Sequence, residues 1–319
     1  MKANQRRDEM NTLKAKLVRE LGKVPEYVPD WSKPVLRPFS GIYSRLYRAI
    51  YSSIKEEELV KTPMGPYIYV RWWDCVERGC ALGTWERRYM ELFCSKIKEG
   101  DVVVDVGAYV GIFSLLASEQ VGDKGCVYAF EPVPRNFERL MRNLKVNQVK
   151  NVKAYNFGLS DRDEVLPIYV PKDNPAEATL YQSNVTEISK GNKIKKDVIE
   201  ARLKQFDQFY NEEGLNRVNI VKIDAEGAEL KILRGMKDTL KSNNLTLFIE
   251  IFPPLIEHIG GSVGELITFL TNYGFKKIYS VKLDSEISIN MNNVNKVVKF
   301  IKDGAYNFIL SKNGGGIKW

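Results

Sequence analysis

The run Val102–Val106 is apolar except for one acid, and it turns through Gly107, Ala108, Tyr109, Val110 and Gly111 into a helical pattern that begins near Ile112. A short continuous apolar run bounded by turn residues is a strand covered on both faces, and such strands belong to parallel sheets with helices above and below. The same unit then repeats. Residues 126–130 form a second apolar strand, 136–147 a helix and 152–157 a third strand. Strands at 219–223 and 245–251 continue the series, with helices at 228–242 and 263–273 and a last strand over 306–310. Upstream, Tyr89, Leu92, Phe93 and Ile97 recur at helical spacing before a stop at Gly100. Alternating strands and helices predict an α/β fold with a doubly wound, mostly parallel, Rossmann-like sheet.

In open α/β sheets, ligands bind outside the carboxyl ends of the strands, which places the first candidate site at residues 105–111. Gly107 permits the tight turn, and Gly111 allows the helix to pack closely. A dinucleotide fingerprint would require glycine where Tyr109 stands and another near Ile112, so NAD is disfavoured. Asp105 instead suits a cationic ammonium such as that of the methionine part of S-adenosylmethionine (SAM). Glu131, followed by Pro132, closes the next strand about twenty residues on, where a carboxylate can accept both hydroxyls of a ribose. Its alternative is pairing with a nearby base such as Arg135. Asp161, in Gly158-Leu159-Ser160-Asp161, can accept from an adenine amino group or begin an Asx-turn.

Cys75, Cys80, Cys94 and Cys126 form no CxxC pair, and His258 is the single histidine, which argues against a structural zinc or disulfide framework. Acid/base chemistry therefore falls mainly to carboxylates, lysines and tyrosines. The start MKANQRRDEM lacks the apolar core of a secretory signal, and no eighteen residues run free of charge, so the expected location is the cytoplasm. A net charge of +8 suits either a polyanionic partner or a plain lysine-rich surface. Residues 1–80 read as an N-terminal helical extension, in which 42–55 form an amphipathic helix for packing, a partner or a membrane surface. The polar segment 171–196 is too long for an ordinary connection and reads as a lid. Residues 313–319 read as a flexible tail beyond a catalytic domain over 81–312.

With the turn at 105–111 and Phe130-Glu131-Pro132 in place, the chain resembles the FkbM family of class I SAM-dependent methyltransferases. The strongest link is Lys222-Ile223-Asp224-Ala225-Glu226-Gly227-Ala228-Glu229, which is similar to the family's KID-x-EGAE signature. Gly158-Leu159-Ser160-Asp161, residues 203–209 and Phe248-Ile249-Glu250-Ile251 also match, so the resemblance runs from about Gly83 to Leu310. One departure stands in the turn, where the family usually has Asn and this chain has Tyr109.

The resemblance implies a seven-stranded class I sheet and SAM bound by Asp105, Gly107, Ala108, Tyr109, Gly111, Glu131, Pro132 and Asp161. It further implies methyl transfer to a hydroxyl oxygen of a sugar, glycan or other small molecule. Asp224, at the carboxyl end of the fourth strand, is the first candidate for base or orienting residue and Glu226 the second. Glu229 reads as an acid stabilising the following helix. Glu250 and His258 are candidates for acceptor binding, and no ligand spacing demands a metal. The alternatives are an RNA methyltransferase using the basic surface and a non-catalytic interaction protein that keeps the fold. Nothing in the sequence indicates an oligomeric state.

Overall fold

The computed structural model describes residues 56–182, 194–258, 260–304 and 306–312. The helix expected over 42–55, with its membrane or partner contact, and the tail over 313–319 lie outside these residues. The chain divides into two units, Met1–Trp85 and Glu86–Trp319.

The described part of the first unit is not wholly helical. Strands β1 (Glu57–Lys61) and β2 (Tyr67–Arg71) form an antiparallel hairpin that pairs Glu57 with Arg71 and Lys61 with Tyr67. Helix α1 (Cys75–Leu82) follows. Asp74 caps it by accepting from the backbone of Val76 and Glu77, each at 3.0 Å. Alternation in Tyr67-Ile68-Tyr69-Val70 is the strand signal, and it outweighs the helical reading of this stretch.

In the second unit, α2 (Arg87–Lys96) leads to β3 (Val102–Val106), α3 (Ile112–Val121), β4 (Cys126–Phe130), α4 (Pro134–Val146) and β5 (Val152–Tyr155). Three strands then depart from the main sheet: β6 (Gly158–Ser160), β7 (Glu164–Pro171) and β8 (Lys196–Gln205). Helix α5 (Phe206–Glu212), β9 (Ile220–Ile223), α6 (Glu229–Arg234), α7 (Lys237–Ser242) and β10 (Thr246–Glu250) resume the alternation. The chain continues through α8 (Pro253–His258), α9 (Val263–Asn272), β11 (Lys277–Ser280), β12 (Ser285–Ser288), α10 (Val294–Asp303) and β13 (Asn307–Ser311).

The main sheet has eight strands in the order β12-β11-β13-β10-β9-β3-β4-β5. The five strands from β10 to β5 run parallel, whereas β13 is antiparallel to both β10 and β11. The doubly wound expectation therefore holds with one addition, since β12 turns back on β11 and extends the expected seven strands by an edge strand. Its residues SEIS carry too little apolar character to announce a strand. Strands β3, β9 and β10 are almost wholly buried, consistent with their continuous apolar sequences. The order reverses between β9 and β3, which opens the crevice where ligands bind in such sheets.

The polar stretch 171–196 joins β7 to β8, whose antiparallel register runs from Glu164 opposite Leu203 to Pro171 opposite Lys196. Before residue 183, Thr179 bridges back to Tyr169 on β7, and the stretch 183–193 lies outside the described residues. The single helix expected over 228–242 is two helices. Asp207 of α5 supplies the break by accepting from Asp238 N at 2.8 Å and from Thr239 N and Oγ1 at 2.9 and 2.7 Å. A capped N-terminus is thereby created in the middle of a helical pattern.

Candidate active site

The turn after β3 is built on backbone rather than side chains. Gly107 at φ 78°, Tyr109 at φ 51° and Gly111 at φ 88° all lie in the left-handed region. The amides of Gly107 and Ala108 both donate to the Phe130 carbonyl at 3.0 Å, which ties the turn to the end of β4. A Cβ on Gly107 would stand 1.8 Å from the Asp224 carbonyl oxygen, so glycine is what lets the turn touch the segment after β9. At Gly111 the close neighbour is Leu140 of α4, 2.3 Å from a built Cβ, so the helix it admits is α4. Tyr109 takes a conformation that Asn adopts at less cost, a backbone reason for the Asn usual at this position.

Glu131 clamps this turn. Its Oε2 accepts from Tyr109 N at 2.8 Å, and its Oε1 accepts from Val133 N at 2.9 Å and Asn136 Nδ2 at 3.4 Å. Burial pushes its carboxyl up to about 7 against the pull of those donors. Two carboxylate oxygens offer about four acceptor positions, so one remains for a ribose hydroxyl. Pro132 packs next to Gly158 at the start of β6. Asp161 follows β6 and accepts from Ser160 Oγ at 3.3 Å. Asp105 is fully buried: its Oδ2 accepts from Ser114 Oγ at 2.6 Å, while Oδ1 has no hydrogen-bond partner and faces Lys222 Nζ at 3.7 Å. The backbone turn and the acid closing β4 fit a ligand with a ribose, as SAM has, whereas the buried Asp105 already has a cation, Lys222, beside its Oδ1.

The signature after β9 brings a second constellation to the same sheet edge. Lys222, buried in β9, sits 3.2 Å from Asp224 Oδ2 and 4.5 Å from the Phe113 ring centroid. Burial opposes its charge, but Asp224, Asp105 and Glu86 together raise its pKa above the usual lysine range. One oxygen each from Asp224, Glu226 and Glu250 lie within 4.8 Å of one another. Burial, followed by the Asp224 charge, pushes Glu226 and Glu250 well above the normal carboxylate range, and Glu250 also hydrogen-bonds Asp224. The three carboxyls are placed to accept protons or to hold a hard cation.

Glu229 stands in the first turn of α6 as expected, but its hydrogen bonds go to the loop before that helix. Its Oε1 accepts from Gly227 N at 3.0 Å and Ala225 N at 3.4 Å, which holds the loop between β9 and α6. His258 is exposed at the end of α8, unlike the clustered acids. From the β7–β8 connection, Thr179 Oγ1 donates to the Glu226 carbonyl at 2.7 Å, and Asn136, beside Glu131, donates to the Pro175 carbonyl at 3.3 Å. The segment expected to be a lid thus contacts both halves of the site.

Sequence reasoning overlooked three residues here. Lys222 carried a signal, since a lysine inside the apolar run IVKI must find a partner. Tyr89 reads as one more apolar position of α2, yet its buried hydroxyl has no partner and lies within the fields of Glu86, Asp224 and Glu250. Glu86 had no signal: it precedes α2 on left-handed backbone, and its Oε1 accepts from Asn307 Nδ2 at 2.6 Å.

Strand order, glycine turn and the acid closing β4 together define a class I SAM-dependent methyltransferase fold. Residues 105–277, more than half of the chain, match the methyltransferase FkbM domain. The chain belongs to the FkbM methyltransferase family. It is 31% identical over 146 residues to "Methyltransferase 1" of Beauveria bassiana, a match covering 43% of this chain and 58% of that relative. The hexuronic acid methyltransferase AglP of Haloferax volcanii is 28% identical over 162 residues, covering 51% of this chain and 61% of the relative. The 31-O-demethyl-FK506 methyltransferase FkbM of Streptomyces tacrolimicus is 26% identical over 216 residues, covering 59% and 80%. The chain thus spans little more than half the length of the first of these relatives. Among the described residues no helix is long and apolar enough to cross a membrane.

Proposed function

We propose that the protein transfers a methyl group from SAM to a hydroxyl oxygen of a sugar, glycan or other small molecule. The observation that carries this reading is the meeting of the donor turn with the acid cluster, at the contact between Gly107 and the Asp224 carbonyl. A donor seated on Asp105, Gly107, Ala108, Tyr109, Gly111, Glu131, Pro132 and Asp161 would lie beside the candidate acceptor residues. Bound SAM supplies an electrophilic sulfonium methyl group. The chain has to place an acceptor oxygen in line with it and take the hydroxyl proton.

Asp224, held by Lys222 at 3.2 Å, orients the acceptor. Glu226, with an oxygen within 4.8 Å of one on Asp224, is the second residue placed to orient the acceptor or take its proton. Glu250 lines the acceptor side with it, and His258 lies at the exposed end of α8. The names of two relatives, one acting on a hexuronic acid and one on a demethylated oxygen of FK506, support a small oxygen acceptor. An RNA acceptor is disfavoured, since its phosphates would meet several carboxylates around a single lysine.

Purified protein should bind SAM, and Glu131→Ala should weaken that binding at least tenfold. Methyl-labelled SAM offered with a panel of hydroxylated sugars should label an acceptor, and Asp224→Asn should abolish labelling while SAM still binds. Normal SAM affinity in Glu131→Ala would remove the ribose assignment. Labelling confined to RNA would overturn the acceptor class.

A further inference from the structure

We infer that Asp224, Glu226 and Glu250 form a site for one hard divalent cation of the Mg2+ or Mn2+ type, bordered by Glu86. This rests on the methyltransferase reading and extends it to the acceptor.

Coordination geometry is the first support. Oxygens bound to one Mg2+ at about 2.1 Å lie about 3 Å apart when adjacent and about 4.2 Å apart when opposite. One oxygen from each of the three residues falls within 4.8 Å of the others, so side-chain adjustments of about half an ångström bring them into that range. All three donors are carboxylates, the ligand type that favours Mg2+ and Mn2+ over softer metals.

Two oxygens left unsatisfied provide the second, independent support. Glu226 Oε2 is shut off from solvent and has no hydrogen-bond partner. Glu86 Oε2 is equally buried and unpartnered, and Asp224 is its principal electrostatic neighbour. The other Glu86 oxygen is held by Asn307, which stands directly opposite Glu250 in the β10–β13 pairing. Glu86 in turn acts electrostatically on both Glu226 and Glu250. Both residues also sit on left-handed backbone, Glu226 at φ 48° and Glu86 at φ 42°, a conformation that costs energy and tends to persist where a side chain must point into a functional site.

Charge balance points the same way. Four acids, Glu86, Asp224, Glu226 and Glu250, influence one another, and the lysine beside Asp224, Lys222, shares its charge with Asp105. A divalent cation supplies the missing positive charge and satisfies the buried oxygens. With three protein ligands, an octahedral ion keeps open positions for acceptor oxygens. A hydroxyl with a second oxygen on the neighbouring carbon, as in a vicinal diol or a hydroxy acid, could occupy two of them. The acceptor class narrows accordingly to small molecules with adjacent oxygens.

The test is titration of the full-length, metal-stripped protein with MnCl2, followed by the electron paramagnetic resonance signal of free Mn2+, with SAM binding measured on the same preparation. Expected is saturable uptake of one Mn2+ per chain, displaced by MgCl2. Uptake should weaken at least tenfold in Glu250→Gln and in Glu226→Gln, and several-fold in Glu86→Gln. A wild-type protein that binds SAM but takes up no Mn2+ overturns the inference, as does uptake that survives in the Glu226→Gln/Glu250→Gln double variant. Should a variant fail to fold, the wild-type titration still decides. Failure of the wild type to bind SAM would instead count against the methyltransferase reading.

Discussion

Gly107 is the residue at which the donor turn and the acid cluster meet, and its hydrogen atom occupies space no side chain could share. Gly107→Ala adds a methyl group 1.8 Å from a backbone oxygen on left-handed backbone, so it should cost roughly 1–3 kcal/mol of stability. A lowered melting temperature together with lost SAM binding checks this; an unchanged melt would show that the turn can move. Glu131 predicts a pH dependence. Its folded pKa of about 7 lies above the ordinary 4.5, so its contribution to stability is full below pH 4.5 and is lost as pH rises through 7. The donor-free protein should therefore lose part of its stability between pH 5 and 8, and Glu131→Gln should flatten that slope in thermal melts. Much at this scale was legible. Gly107, Glu131 and Asp224 stand in motifs whose chemistry can be read directly, and Lys222 is conspicuous as a charge in an apolar strand. Glu86 was not legible, because its importance comes from Asn307, 221 positions away.

Among the elements, strands with mainly apolar runs matched expectation to within a residue or two: Val102–Val106, Cys126–Phe130, Ile220–Ile223 and Thr246–Glu250. Burial on both faces writes one plain pattern for them. Strands β6, β7, β8 and β12 were hidden: β6 has only three residues, Val165 of β7 and Val198 of β8 are exposed so that apolar alternation does not mark the buried face, and β12 carries a single apolar residue. The division between α6 and α7 was hidden for a related reason: the Asp207 carboxylate that caps α7 belongs to α5. Asp207→Ala should cost about 2 kcal/mol, a cap lost along with a buried hydrogen bond to Thr239. Urea unfolding would measure it, and a cost near zero would mean that solvent caps the helix equally well.

For the whole molecule, the eight-stranded sheet, the donor turn and the acid cluster all belong to the unit that begins at Glu86. A fragment covering residues 86–319 should therefore melt cooperatively and bind SAM; a fragment that neither melts cooperatively nor binds would show that residues 1–85 are needed for the fold. Apolar periodicity and turn chemistry, which are local, were enough to determine a parallel α/β sheet and a donor turn without a dinucleotide fingerprint, and the family resemblance supplied the KID-x-EGAE motif after β9. Tertiary structure alone decided that Glu86 joins Asp224, Glu226 and Glu250, that the β7–β8 connection contacts both Glu226 and Asn136, and that Gly107 abuts Asp224. The physical reason is that strand order in a doubly wound sheet places β9 beside β3 although Val106 and Ile220 lie 114 positions apart, and no local pattern encodes which charges then share one buried space.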